Sequence, residues 1–143
     1  MKKIFLLLSF TTLMLQSCSS SDSSPTNQVS LISKWNLDKS ILDNTTQVLS
    51  TCDKQGYIEF YSNGTFDRKD YFLNGANCIL EGFDSGAFTY NSSSNKITLN
   101  FLDPNDGPQI ETLNNVNISS TTLKYSWDEN GDGTDENNLE FKK

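Results

Sequence analysis

The stretch GYIEFYSNGTFDRKDYFL, residues 56–73, decides the fold. Its first part, residues 56–61, alternates apolar and polar side chains, so Ile58 and Phe60 share one face and Glu59 lies on the other. Such alternation marks a half-buried β-strand. Residues 65–73 form a second run rich in aromatic residues. Between the two stands Asn63-Gly64, a pair suited to a type I′ hairpin, whose central positions both need positive φ. Asp67 and Asp70, set among Arg68 and Lys69, read as the solvated face of the second strand.

The same pattern extends outward in both directions. Residues 30–37, 85–90, 96–102, 109–116, 121–127 and 138–142 read as further strands, separated by Asn, Gly, Asp and Ser clusters. Alternation puts Trp35 in line with Leu31 and Leu37. It also gathers Phe88 and Tyr90, then Ile97, Leu99 and Phe101, then Leu123, Tyr125 and Trp127, then Leu139 and Phe141 on dry faces. Glu59, Thr98, Asn100, Lys124, Ser126, Glu140 and Lys142 fall on wet faces. One wet and one dry face with short links implies an all-β antiparallel up-and-down meander. About eight strands suffice to close a small barrel, and closure removes exposed edges. A β-sandwich is the alternative.

The front of the chain has a different composition. Lys2 and Lys3 precede a short apolar run, Ile4 to Leu15. As a helix this run spans about 18 Å, against a hydrocarbon core of about 30 Å, so it reads as an export signal and not a membrane span. Leu15-Gln16-Ser17-Cys18 then resembles the bacterial lipobox. That resemblance implies a signal peptide over residues 1–17 and a lipidated Cys18, with palmitate among the expected acyl chains. Several chains anchor firmly, where one binds marginally. The expected location is the cell envelope, anchored to the outer membrane, with the domain facing the periplasm or the exterior. Residues 18–29 are Ser-rich and read as a tether. The barrel domain then occupies residues 30–143.

Three cysteines in an exported chain leave one unpaired. With Cys18 assigned to lipid, Cys52 and Cys78 remain as an even pair in an oxidising compartment. A disulfide between them contributes about 3.5 kcal/mol by chain entropy. Two free buried thiols are the other reading. Removing residues 1–17 takes two lysines and no acid, moving the formal charge from −7 to −9. A surface so acidic repels phosphates, so nucleic acid is excluded as a partner.

The arrangement is similar to the small lipocalin-like domains of bacterial lipoproteins. The likeness rests on the early tryptophan of LISKWNL, on CDKQGYIEFYSNGTF, on CILEGFDSGAFTY and on KITLNF. Ser33 stands where lipocalins usually carry glycine. The resemblance implies an up-and-down barrel that holds a small hydrophobic ligand, and it implies no catalytic residue. The residues themselves limit the lumen. Trp35 reads as a plug at the closed end, and Phe60, Phe66, Phe88 and Tyr90 read as packing. A filled barrel acting as a structural or partner-binding module is therefore the second functional reading.

The chain has no histidine, which removes Ser-His-Asp and Cys-His catalysis and histidine metal sites. It reads as a non-enzyme without a resident cofactor. Four sequons, at Asn44, Asn63, Asn91 and Asn117, read as turn chemistry. Asp128, Asn130 and Asp132, followed by Gly133, match the front of an EF-hand loop and are the candidate calcium ligands. The back half does not match: Leu139 stands where a bidentate Glu belongs, and the flanks read as strands. A looser calcium turn, with Asp135 or Glu136 as added ligands, competes with a plain acidic hairpin tip, and a calcium-stabilised envelope domain is a third reading.

Overall fold

A computed structural model describes residues 30–128 and 130–143. The expected signal peptide and tether, with Cys18, lie outside the described residues. Among the described residues nine strands form one antiparallel sheet: β1 Ser33–Leu42, β2 Thr45–Thr46, β3 Tyr57–Phe60, β4 Thr65–Asn74, β5 Asn77–Asn91, β6 Lys96–Asp103, β7 Gly107–Ile118, β8 Thr122–Trp127 and β9 Asn137–Lys142. Strand β2 is a two-residue ribbon on the end of β1. The others follow chain order, and β1 pairs with β9 from Asn36–Lys142 to Leu42–Asn137. This last pairing closes an eight-stranded barrel and excludes the sandwich.

Register divides the barrel into two halves. In the closed half Trp35 pairs with Ile58, Phe60 with Phe66, Ile97 with Leu113, and Leu123 with Phe141. All eight side chains are buried, six of them with no solvent exposure. Burying each large side chain contributes about 1.5–3 kcal/mol, so this layer is the main source of stability. Trp35 is the plug that the sequence suggests. Its Nε1 donates to the Leu31 carbonyl at 2.9 Å, and Lys143 Nζ lies 4.6 Å from the ring centroid. Phe88 and Phe60 meet edge-on at 4.8 Å between centroids. Tyr90 differs from expectation: it stands at the rim, exposed.

Strands β4 and β5 make the longest hairpin. The sequence pattern marks only residues 85–90 of β5, and the strand begins eight residues earlier, at Asn77. Gly82 and Gly86 both lie within the strand. A Cβ at Gly86 would collide with the backbone of Asn100 on β6, so the close approach of these strands requires glycine there. A bulge on β5 opposite Asp70 and Tyr71 lets the hairpin turn beyond the barrel. Cys52 and Cys78 are bridged, with Cα atoms 5.1 Å apart. The bridge ties this hairpin to the 3-10 turn Asp53–Gln55 ahead of β3.

The turns correct one expectation. Asn63 is absent from the positive-φ positions, and only Gly64 takes one, at 84°. Gly64 N donates to the Tyr61 carbonyl, and Tyr61 N donates to the Thr65 carbonyl. The link is thus a three-residue turn with a glycine bulge, not type I′. Asn63 Oδ1 instead accepts from Thr65 N at 3.0 Å. The turn with two positive central φ values is Asp43-Asn44, at 47° and 62°, between β1 and β2. Asn91 also works as a turn residue, accepting from Ser93 N and Ser94 N.

Candidate functional site: the open end of the barrel

The inward positions of β4 run Phe66, Arg68, Asp70. Phe66 belongs to the closed half, but Arg68 turns into the lumen above it. Asp70 is exposed, as a solvated position should be, but the Arg68 read beside it on that face is turned inward. The reason lies in the pairing. Arg68 is opposite both Ile58 and Asp84, and β5 supplies Asp84 on the same inward phase as Gly86 and Phe88. Strand β7 supplies Glu111 in phase with the buried Leu113.

These three side chains form one ion-pair network. Arg68 Nη2 reaches Asp84 Oδ2 at 2.7 Å, and Nε reaches the same oxygen at 3.0 Å. The two Nη atoms hold both Glu111 oxygens, at 3.0 and 2.9 Å. This bidentate grip is the strong form of the guanidinium–carboxylate contact. The guanidinium also faces the Phe101 ring, 5.6 Å from its centroid. Side-chain exposures of 19 %, 18 % and 22 % put the network part-way out of water. Burial opposes the charge on Arg68, but the hydrogen bonds and charge of Glu111 and the hydrogen bond to Asp84 outweigh it, so the arginine holds its proton more firmly than usual. Burial also pushes the Tyr125 hydroxyl well above the usual phenol range, so it stays neutral.

Asp70 completes the ring of charges at the mouth, opposite Gly82. Solvent reaches it, yet the surrounding wall removes part of its hydration. That desolvation raises its pKa, with Arg68 pulling the other way and Asp84, Glu81 and Glu111 adding to the rise. Two carboxylates, Asp84 and Glu111, thus hold the guanidinium directly, and Asp70 feels it only through space.

Above this network the barrel is hollow. A cavity of about 280 Å³ opens to solvent, with Arg68, Asp70 and Glu111 on its polar side. Tyr125, Trp127, Leu139, Phe141 and Leu37 line the other side, with Tyr57 at the edge. Tyr125 and Phe141 stack with centroids 5.3 Å apart, giving a rigid aromatic wall. Trp127 and Leu139 fall on the inward phase that alternation assigned to them, and both are half-buried against the core.

The loop between β8 and β9 sits at this same end. It brings together the candidate calcium residues. Asp128, Asp132 and Glu136 each place a carboxylate oxygen within 4.8 Å of the others. Asp128 accepts from Gly131 N and Gly133 N, Asn130 Oδ1 from Asp132 N, and Asp132 Oδ1 from Thr134 N. The Thr134 bonds lower the Asp132 pKa. Asn130 Nδ2 donates to Glu136 Oε1 at 2.9 Å. Asp135 goes elsewhere, accepting from Ser126 Oγ, Asn114 Nδ2 and Asn115 Nδ2. This corrects the placing of Ser126 on a wet face: the returning loop covers it, leaving 2 % exposed. Leu139 is taken up by β9, pairing with Tyr125, so an EF-hand register is closed to this loop.

Residues 31–125 match the family model described as a lipocalin-like domain, and the chain belongs to that family. Among solved structures it is similar to a lipocalin-like protein from Bacteroides uniformis. The two share 15 % identity with a TM-score of 0.51, covering 79 % of this chain and 97 % of the other. This second likeness concerns the fold. No curated protein matches the chain.

Proposed function

We propose that the protein is a lipid-anchored envelope protein that binds one small, largely apolar ligand in the open half of its barrel and does no chemistry on it. The observation that carries this reading is the hollow above the ion-pair network, walled on one side by Tyr125, Phe141 and Leu139. At about 280 Å³ it stands at the small end of ligand pockets, with room for a volume of about nine waters. The lipobox-like LQSC supports anchoring at Cys18, and a Ser-rich tether would hold the domain clear of the bilayer. A neutral aromatic such as 2-phenylethanol is expected to change tryptophan fluorescence saturably, one molecule per chain. Leu139→Trp, which fills the hollow, should abolish the change. No saturable signal in the unmodified protein would refute ligand binding and favour a filled structural module. Labelled palmitate should enter the full precursor and not its Cys18→Ala variant.

The β8–β9 loop supports a second proposal, calcium held by Asp128, Asn130, Asp132 and Glu136, because three carboxylate oxygens converge there. Millimolar calcium should then raise the melting temperature, and Asp132→Ala should abolish the rise. An unchanged melting curve would leave the loop as an acidic hairpin tip.

A further inference from the structure

We infer that the lumen selects ligands carrying a positively charged amine, seated with the ammonium toward Asp70 and the apolar body against the Tyr125–Phe141 wall. The inference rests on the lumen-binding reading above and narrows it to a chemical class.

Three features of the open end lead to it. First, the one cationic side chain lining the cavity among the described residues is already engaged. Arg68 gives Nε and both Nη atoms to Asp84 and Glu111 at 2.7–3.0 Å, so a ligand carboxylate would have to break these bonds to reach it. Second, among the described residues no side-chain cation holds Asp70 in an ion pair, although Asp70 lines the same cavity. An incoming ammonium gives it a directly paired counter-charge, where Arg68 acts only through space. Part of its surroundings is already dehydrated, which strengthens the attraction relative to bulk water. Third, the cavity has aromatic faces beside its carboxylates. A ring stacks there, and a cation gains from the negative π-faces of Tyr125 and Trp127.

Charge placement over the molecule acts in the same direction. The links and strand ends at the open end carry Asp103, Asp106, Asp128, Asp132 and Glu136, offset in part by Lys54. The closed end carries Lys34, Lys96, Lys142 and Lys143. The resulting field draws cations to the mouth and turns anions away. A fatty acid, the ligand that an apolar lumen alone would suggest, meets a negative entrance and an occupied arginine.

The test uses three probes of one size on the barrel domain: 2-phenylethylamine, 2-phenylethanol and phenylacetate, each titrated calorimetrically at low salt and neutral pH. The amine is expected to bind at least about tenfold tighter than the alcohol, with phenylacetate weakest. Asp70→Asn keeps the shape and should bring amine and alcohol to within about twofold of each other. Alcohol binding equal to or tighter than amine binding would overturn the charge selection while leaving lumen binding intact. Unchanged amine preference in Asp70→Asn would overturn the role of Asp70. No saturable binding of any probe would overturn this inference and the lumen reading together. Circular dichroism and melting of Asp70→Asn are run beside the titrations, and an intact barrel makes its binding data bear on the lumen and not on folding.

Discussion

Strand β4 passes through both halves of the barrel, and its inward side chains change character along the way. At Phe66 the lumen is dry, and the cross-strand neighbours Phe60 and Gly86 leave no space. Two residues further on, Arg68 meets Asp84 and Glu111, and beyond it Asp70 meets solvent. The closed half is packed by aromatic and aliphatic side chains to near-zero exposure. The open half is held by ions and a disulfide around a hollow. Dense packing gives the first half its stability and leaves nothing to bind with. The second half gives up packing, and its shape is kept by bonds with direction: the forked grip of Arg68, the Cys52–Cys78 bridge, and Asp135 clasping Ser126.

The comparison breaks most visibly if the two halves respond alike to mutation. Trp35→Ala should have the largest effect, lowering unfolding free energy by about 3–5 kcal/mol in denaturant melts, because it removes the plug. A loss under about 1 kcal/mol would mean that the closed half is not the main core. Replacing both Cys52 and Cys78 by alanine should come next, at about 2–5 kcal/mol. The loss should be accompanied by faster amide exchange in the β4–β5 hairpin and unchanged exchange around Leu113.

Arg68→Met should cost about 2–3 kcal/mol. Loss of one partner from a fully buried pair costs about 3–5 kcal/mol. Exposures of 18 % and 22 % at Asp84 and Glu111 let water screen part of that. A neutral or stabilising Arg68→Met would mean that the arginine is a dispensable surface charge.

The smallest effect is expected at Asp70, and its sign is opposite. Its folded pKa lies above the usual carboxylate value of 3.8. Between those two values the folded state holds more protons than the unfolded one, so ionisation lowers stability as pH rises through the window. Asp70→Asn should therefore raise the melting temperature at neutral pH, on the order of a degree or two. The gain should vanish below pH 3.8, where both states are protonated.

Much of this was legible in sequence. The period-two phase set by Ile58 and Phe60, by Ile97 and Leu99, and by Leu123 and Tyr125 places the closed core correctly. The even cysteine count identifies the bridge. The open half was harder to read, although the same phase runs through it. From Phe66 the inward positions are Arg68 and Asp70. From Leu113 the preceding one is Glu111, and from Phe88 and Gly86 it is Asp84. Reading charge as a sign of solvent overrode that phase. A charged residue at an inward position indicates a partner from another strand, and here the partner lies 16 or 43 positions away. Register between distant strands carries that information, and local alternation does not. Ser126 shows the converse. Its phase is outward as expected, but a loop returning from the same hairpin covers it through Asp135.

The account stands or falls on which way Arg68 points. The most direct measurement is a nitrogen-edited NOE spectrum of the barrel domain with labelled arginine. Inward placement predicts cross-peaks from the Arg68 guanidinium protons to the Phe101 ring, together with slowed exchange of Nε–H. A fast-exchanging Nε–H with no aromatic contact would put the arginine outside and leave the lumen without its charged floor.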